Sequence, residues 1–310
     1  MTSHLRTLED LGPEGIANII NLSVNIKKRP QDFANILQTE TLLMLFEKAS
    51  LRTRLSFEAG MTQLGGHAIF YSIKDSPLGR KETLQDTARC AGRYVDIIMA
   101  RVFAQEDIEQ LASHAGVPVI NGLTDMYHPC QIIADLMTIK EKKGRLKGLS
   151  LAFLGDSLNN VTHSLLLGCS MMGISITVAC PDDPIHSPDS AVIKTAEGYA
   201  AKSGSTVKVV HDAKEAVRDA DVVVTDSWMS YHIPPEQKEE RVRIFSPFQV
   251  DSDIMALAKK EAIFMNCLPA MRGMEQTAEV IDGPQSVVFD EAENRLHSQK
   301  AVILTLLNKV

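Results

Sequence analysis

Short apolar runs alternate along the chain with stretches of helical periodicity. In the first half the runs are LLMLFE (42–47), HAIFYS (67–72), DIIMAR (96–101) and VPVING (117–122). In the second half they are LSLAFLGD (149–156), ISITVACP (174–181), TVKVVHD (206–212), ADVVVTDS (220–227) and AIFMNCLP (262–269). Short apolar runs bounded by turn formers read as buried strands, and strands alternating with helices predict parallel sheets. The two series break near 135–148, where IIADLMTIKEKKG reads as a connecting helix. The expected fold class is α/β, with two domains, each a mostly parallel sheet with helices on both faces, joined by interdomain helices. The pattern places the first domain at 1–135, the connecting helix at 136–148 and the second domain at 149–290. A last helical stretch, 291–310, is expected to return to the first domain.

Parallel sheets bind ligands beyond the carboxyl ends of their strands. The residues that follow each run are therefore candidates: Ser50 to Thr53, Arg101, His128 to Gln131, Asp156 to Asn160, Asp226 to Ser230, and Asn266 to Pro269. Together they predict a site in a cleft between two domains. Ser50-Leu51-Arg52-Thr53-Arg54 falls where a strand hands over to a helix, and a helix N-terminus offers open N–H groups and partial positive charge to an anion. Ser50 can cap, Arg52 can pair with an oxyanion and Thr53 can donate a hydroxyl; the alternative is a Ser-capped helix with solvated arginines. GDSLNN (155–160) lacks the glycine fingerprint of dinucleotide folds and the P-loop lysine, so neither a dinucleotide nor ATP is expected. Capping the next helix is the expected role for at least one of Asn159 and Asn160. His128 and Gln131 can hold a carbonyl group, with Cys130 as a packed thiol. Asp226 can hold a substrate ammonium or cap a helix. Cys267 has no histidine beside it in sequence to make a thiol-protease pair, and a buried inert thiol is the default there.

Composition narrows the partners. The net charge of −7 and the lack of a basic block argue against nucleic acid. No apolar run reaches the roughly 18 residues of a membrane span. MTSHLRTLEDLGPEG carries no apolar signal core, so the expected location is cytoplasmic. The five cysteines are scattered without a CxxC pair, which predicts free thiols rather than disulfides or a metal site.

Four separated motifs, FEKASLRTR, HPCQ, NCLPA and DEAENRLHSQKA, occur in an order that resembles the aspartate/ornithine carbamoyltransferase family. The likeness runs from residue 4 to 308, and the DSW (226–228) and NCLPA (266–270) patterns favour the ornithine branch over aspartate. The resemblance implies a carbamoyl-phosphate-binding domain followed by an amino-acid-binding domain, in a homotrimer with active sites near subunit interfaces. It implies transfer of the carbamoyl group from carbamoyl phosphate to ornithine, giving citrulline and phosphate, in arginine metabolism and with no metal or organic cofactor. By motif, carbamoyl phosphate would be held by Ser50, Leu51, Arg52, Thr53, Arg101, His128, Gln131, Cys267, Leu268 and Arg295. Ornithine would be held by Asn160, Asp226, Ser230 and Tyr231. Cys267, Asp226, His128 and Arg101 would be catalytic, and Arg54 would be an internal ion-pair partner. The chain departs from the family where Leu51 replaces Thr, where Ser230-Tyr231-His232 replaces Ser-Met-Gly, and where Asn266 replaces His before Cys-Leu-Pro. Pro77 stands where some members place a Gln offered to the neighbouring subunit. Two other readings stay open: a carbamoyltransferase for a different amine, admitted by the altered 230–232 loop, and a non-catalytic relative that binds carbamoyl phosphate or an amino acid.

Overall fold

The structure is a computed structural model that describes residues 4–73, 82–229 and 233–310. Pro77, Ser230, Tyr231 and His232 lie outside the described residues. The chain forms two compact units, Met1–Met137 with Glu293–Val310, and Thr138–Ala292.

The first unit holds β1 (Thr41–Phe46), β2 (His67–Ser72), β3 (Ile97–Arg101) and β4 (Val119–Leu123) in the order β2-β1-β3-β4. The second holds β5 (Ser150–Leu154), β6 (Ser175–Ala179), β7 (Val207–Val210), β8 (Val222–Thr225) and β9 (Ile263–Met265) in the order β7-β6-β5-β8-β9. Every paired strand is parallel, and each of the nine apolar runs contributes one strand. In both sheets the winding reverses once, between β1 and β3 and between β5 and β8. Such a switch point opens a crevice at the carboxyl ends of the two strands.

Local chemistry prepares the first of these points. Phe46 pairs with Arg101, so β1 and β3 end side by side. The register between β3 and β4 slips after Ala100, so that Arg101 faces Leu123. The slip falls at Gly122, where a Cβ would lie 2.4 Å from Met99 Sδ, so a side chain there would have to displace the Met99 thioether. At the second switch point Gly155 follows β5 with φ of 120°. A Cβ there would lie 2.9 Å from Trp228 Nε1, so the absent side chain admits the indole ring.

The connecting helix differs from its expected span of 136–148. It runs from Pro129 to Lys143. Proline suits a first helical turn because its missing N–H would find no partner there, and Gly144 at φ 75° ends the helix. The last helix covers Val288–Leu306. In the first unit Ile98, Ala100, Ile108, Leu111 and Val119 share one apolar cluster. In the second, Leu154, Val217, Val223, Phe264 and Ile254 do the same. Burying each large aliphatic side chain contributes about 1.5–3 kcal/mol, which anchors the strands whose ends carry the polar residues.

Candidate active site

At the β1/β3 switch point, Ser50 is extended and caps helix Leu51–Gln63, accepting from Thr53 N at 3.3 Å. Its hydroxyl donates to Thr53 Oγ1 at 3.0 Å. Thr53 is buried and serves as a hub, because Arg101 Nη1 and Arg295 Nη2 each lie 3.5 Å from its Oγ1. Arg295 Nη1 also donates to Gln131 Oε1. The opposite end of that amide donates from Nε2 to Asp135 Oδ1 at 2.8 Å, which fixes which way Gln131 faces. Ser50, Thr53, Arg101, Gln131 and Arg295 are thus joined in one network.

His128 is buried beside this network. Burial, and then the nearby charges of Arg295, Arg101 and Lys48, hold its pKa well below the ordinary histidine value. A neutral imidazole can donate one hydrogen bond without adding charge. Cys130 is buried as expected, its Sγ 3.4 Å from Asn121 O, and burial pushes the thiol up to about 12. Leu51 is the first residue of its helix and its side chain is 69% exposed, so it does not pack into the core. Arg52 follows in the same turn and is half-buried. Arg54 pairs with Glu58 at 2.9 Å and lies over the Phe70 ring at 3.8 Å.

Lys48 and Asp135 escaped the sequence reading. A lysine just past a strand reads as solvated, yet Lys48 is buried, pairs with Asp125 and lies 4.2 Å from the Phe103 ring centre. Burial lowers its pKa against the opposing pull of Asp125. The signal for Asp135 was its spacing of four from Gln131 on one helix, which puts both on the same face.

The second switch point has the opposite character. Asp226 follows β8 and accepts from Ser227 N at 2.7 Å. Cys267 follows β9, the neighbouring strand, and its Sγ donates to the same carboxylate oxygen at 3.2 Å. Burial pushes Asp226 up to about 6, partly offset by these two hydrogen bonds. Leu268, next in the chain, has φ of 55°, and its bond to Pro269 is cis. Asn159 caps helix Asn160–Met172, accepting from Thr162 N at 2.8 Å, which leaves Asn160 as the first helical residue. Asp156 pairs with Arg241, whose Nε donates to Trp228 O at 2.6 Å, so one guanidinium ties the loops after β5 and β8. Glu275, fully buried, accepts from Trp228 N at 3.2 Å and from Met271 N at 3.0 Å. These clamps were missed because Arg241 and Glu275 lie far in sequence from the strand ends they secure. Among the described residues no cluster of His, Cys, Asp and Glu could hold a metal ion.

Comparison with known proteins places these features. Residues 3–141 match the family model for the aspartate/ornithine carbamoyltransferase carbamoyl-P binding domain, and residues 147–306 match that for the Asp/Orn binding domain. The chain belongs to the aspartate/ornithine carbamoyltransferase family. It is 50% identical over 308 residues to an ornithine carbamoyltransferase of Pyrococcus horikoshii, covering 99% of this chain and 96% of the relative. A Bacillus subtilis ornithine carbamoyltransferase is 49% identical over 305 residues, covering 98% and 94%. The solved ornithine carbamoyltransferase from Pyrococcus furiosus superposes with a TM-score of 0.95 at 48% identity, covering 100% of this chain and 98% of that one.

Proposed function

We propose that the protein transfers a carbamoyl group from carbamoyl phosphate to the side-chain amine of ornithine, releasing citrulline and phosphate. The observation that carries the choice of acceptor is the half-buried, hydrogen-bonded pair of Asp226 and Cys267 at the ends of adjacent strands. A carboxylate there suits an acceptor that arrives as an ammonium and opposes one that carries a second carboxylate, as aspartate does. Full-length similarity to ornithine carbamoyltransferases supports the same reading.

In this reading the first unit binds the donor. Ser50, the Leu51 N–H, Arg52, Thr53 and Arg101 hold the phosphate, and His128, Gln131 and Arg295 hold the carbamoyl end. The amine nitrogen attacks the carbonyl carbon, negative charge develops on the carbonyl oxygen, and the bond from that carbon to the phosphate oxygen breaks. Neutral His128 and the Arg101 and Arg295 guanidiniums stabilise that charge without rearranging. The second unit binds the acceptor through Asn160, Asp226, Ser230 and Tyr231. Cys267 and Leu268 close around the reacting groups. The amine must lose a proton to attack, and Asp226, with a pKa near neutrality, is suited to receive it. The departing phosphate is the final proton acceptor, so the carboxylate is regenerated.

The proposal extends to assembly and setting. Leu55, Ile69 and Tyr71 are exposed on the helix and edge strand that flank β1, which supports a homotrimer formed through the first unit. No helix of the described residues is long and apolar enough to cross a membrane, and all five cysteines are free; both accord with work in the cytoplasm, in arginine metabolism. Purified protein mixed with carbamoyl phosphate and, separately, ornithine, lysine, putrescine or aspartate tests the acceptor. Ornithine is expected to give ureido product and phosphate in equal amounts. Turnover with another amine and none with ornithine would overturn the choice.

A further inference from the structure

The loop that carries Cys267 is closed by side-chain amides. Asn266 and Gln276 are both fully buried. Asn266 Nδ2 donates to Gln276 Oε1 at 3.1 Å, and Gln276 Nε2 donates to Met271 O at 3.3 Å. Asn266 Oδ1 accepts from Leu268 N at 2.8 Å. The backbone N–H of Asn266 donates to Glu291 Oε2 at 3.0 Å, which fixes the start of the loop. Each amide oxygen meets an N–H and each amide nitrogen meets an oxygen, so turning either amide over would set like against like. The relay ends on Leu268, whose φ of 55° is a left-handed conformation that an L side chain adopts only when its surroundings hold it there. Between the two ends of this lock sits Cys267, with its Sγ 3.2 Å from Asp226 Oδ1.

We propose that Asn266 and Gln276 are positioning residues: their amide relay holds the Leu268 turn and thereby aims the Cys267 thiol at Asp226. The inference rests on the reading that Asp226 and Cys267 serve the acceptor amine. An amide does not titrate, so the relay keeps its geometry throughout the range in which Asp226 changes charge.

Gln276→Met retains the volume and removes both hydrogen bonds of that side chain. It is expected to lower kcat with ornithine about tenfold while leaving KM for carbamoyl phosphate within about twofold. Alkylation of Cys267 by iodoacetamide, followed by peptide mass mapping with exposed Cys90 as the internal reference, is expected to accelerate as the thiol leaves the carboxylate. Asn266→Leu should behave alike, and the double variant should lose no more than either single one, because a relay broken once is broken. A variant with lowered Tm but unchanged kcat and alkylation rate overturns the proposal, as does additive loss in the double variant. Should the variants fail to fold, amide hydrogen exchange on the unaltered protein decides: protection at Leu268 supports the relay, and exchange at the rate of an open loop overturns it. If the unaltered protein carbamoylates no ornithine, the functional reading fails, while alkylation and exchange still judge the relay.

Discussion

The switch point of the first sheet gathers cations, and that of the second gathers carboxylates, one of them paired with Arg241, together with a thiol and uncharged amides. Around Thr53 the chain brings Arg101 and Arg295 together, with Lys48 also bearing on His128. Asp125 pairs with Lys48, and Asp135 accepts from Gln131 at the edge of the same network. Around Asp226 the partners are Ser227 N and the Cys267 thiol, with Glu275 and Asp156 adding negative charge nearby. The same topology therefore gathers mainly basic groups at one switch point and mainly acidic ones at the other. In the proposed reading, the cationic end takes an anion that arrives already charged, and the acidic end takes a group that must give up a proton. Burial acts in the same sense on both titrating groups, since it disfavours the charged form: His128 is held neutral, and the Asp226 carboxyl is pushed up to about 6.

The largest expected effect breaks the cationic side. Arg101→Ala should reduce kcat/KM for carbamoyl phosphate by at least ~3 kcal/mol, or about 150-fold, because it removes a buried charge aimed at an anion. Steady-state kinetics at limiting donor read this directly, and a loss below about tenfold would take Arg101 out of the donor site.

On the anionic side, Asp226→Asn should lower kcat/KM for the acceptor by ~2–3 kcal/mol. It should also raise stability at neutral pH. The folded pKa of about 6 lies above the usual 3.8, so the carboxyl's contribution is fully present below pH 3.8 and is lost as pH rises through about 6. At pH 7 the ionised group therefore costs up to ~3 kcal/mol, which asparagine removes. Denaturant melts at pH 7 and pH 4 should show a gain that shrinks at the lower pH. A gain that is larger at pH 4 would mean that burial does not raise this carboxyl. In the unaltered enzyme, acceptor kcat/KM should fall as pH drops below about 6.

Lys48→Met sharpens the account of the cationic side. Lys48 holds Asp125, three residues before His128, so its loss should loosen that loop and cost ~1–2 kcal/mol in kcat, with acceptor KM little changed. Kinetics on the variant with both substrates varied would check it.

How far these differences could be read from sequence depends on where the information lies. Strand positions are encoded in local apolar runs, and each of the nine runs forms its strand. The cap at Ser50 was equally local, since Ser50 and Thr53 lie three residues apart. The clamps were not legible in this way. Lys48 pairs across 77 residues, Arg241 across 85 and Glu275 across 47. No periodicity spans such distances, and a lone charged residue in a loop reads as solvated until a partner is seen. Gln276 was hidden for the same reason, in a loop whose order comes from buried amides rather than from a repeating pattern.

The smallest expected effect concerns Leu51. Its side chain is 69% exposed at the first helical position. Leu51→Thr adds a hydroxyl beside the anion turn without opening a cavity, so Tm should stay nearly constant while KM for carbamoyl phosphate falls about tenfold. A thermal melt and donor kinetics check both parts, and an unchanged or higher KM would remove Leu51 from the phosphate side.

The contrast itself is tested most directly by calorimetric titration of carbamoyl phosphate into Asp226→Asn and Arg101→Ala side by side. The account predicts that Asp226→Asn keeps the donor affinity of the unaltered protein within about threefold, while Arg101→Ala loses about 100-fold or more. Equal loss of donor binding in the two variants, with Asp226→Asn correctly folded, would contradict the division of the chemistry between the two sheets.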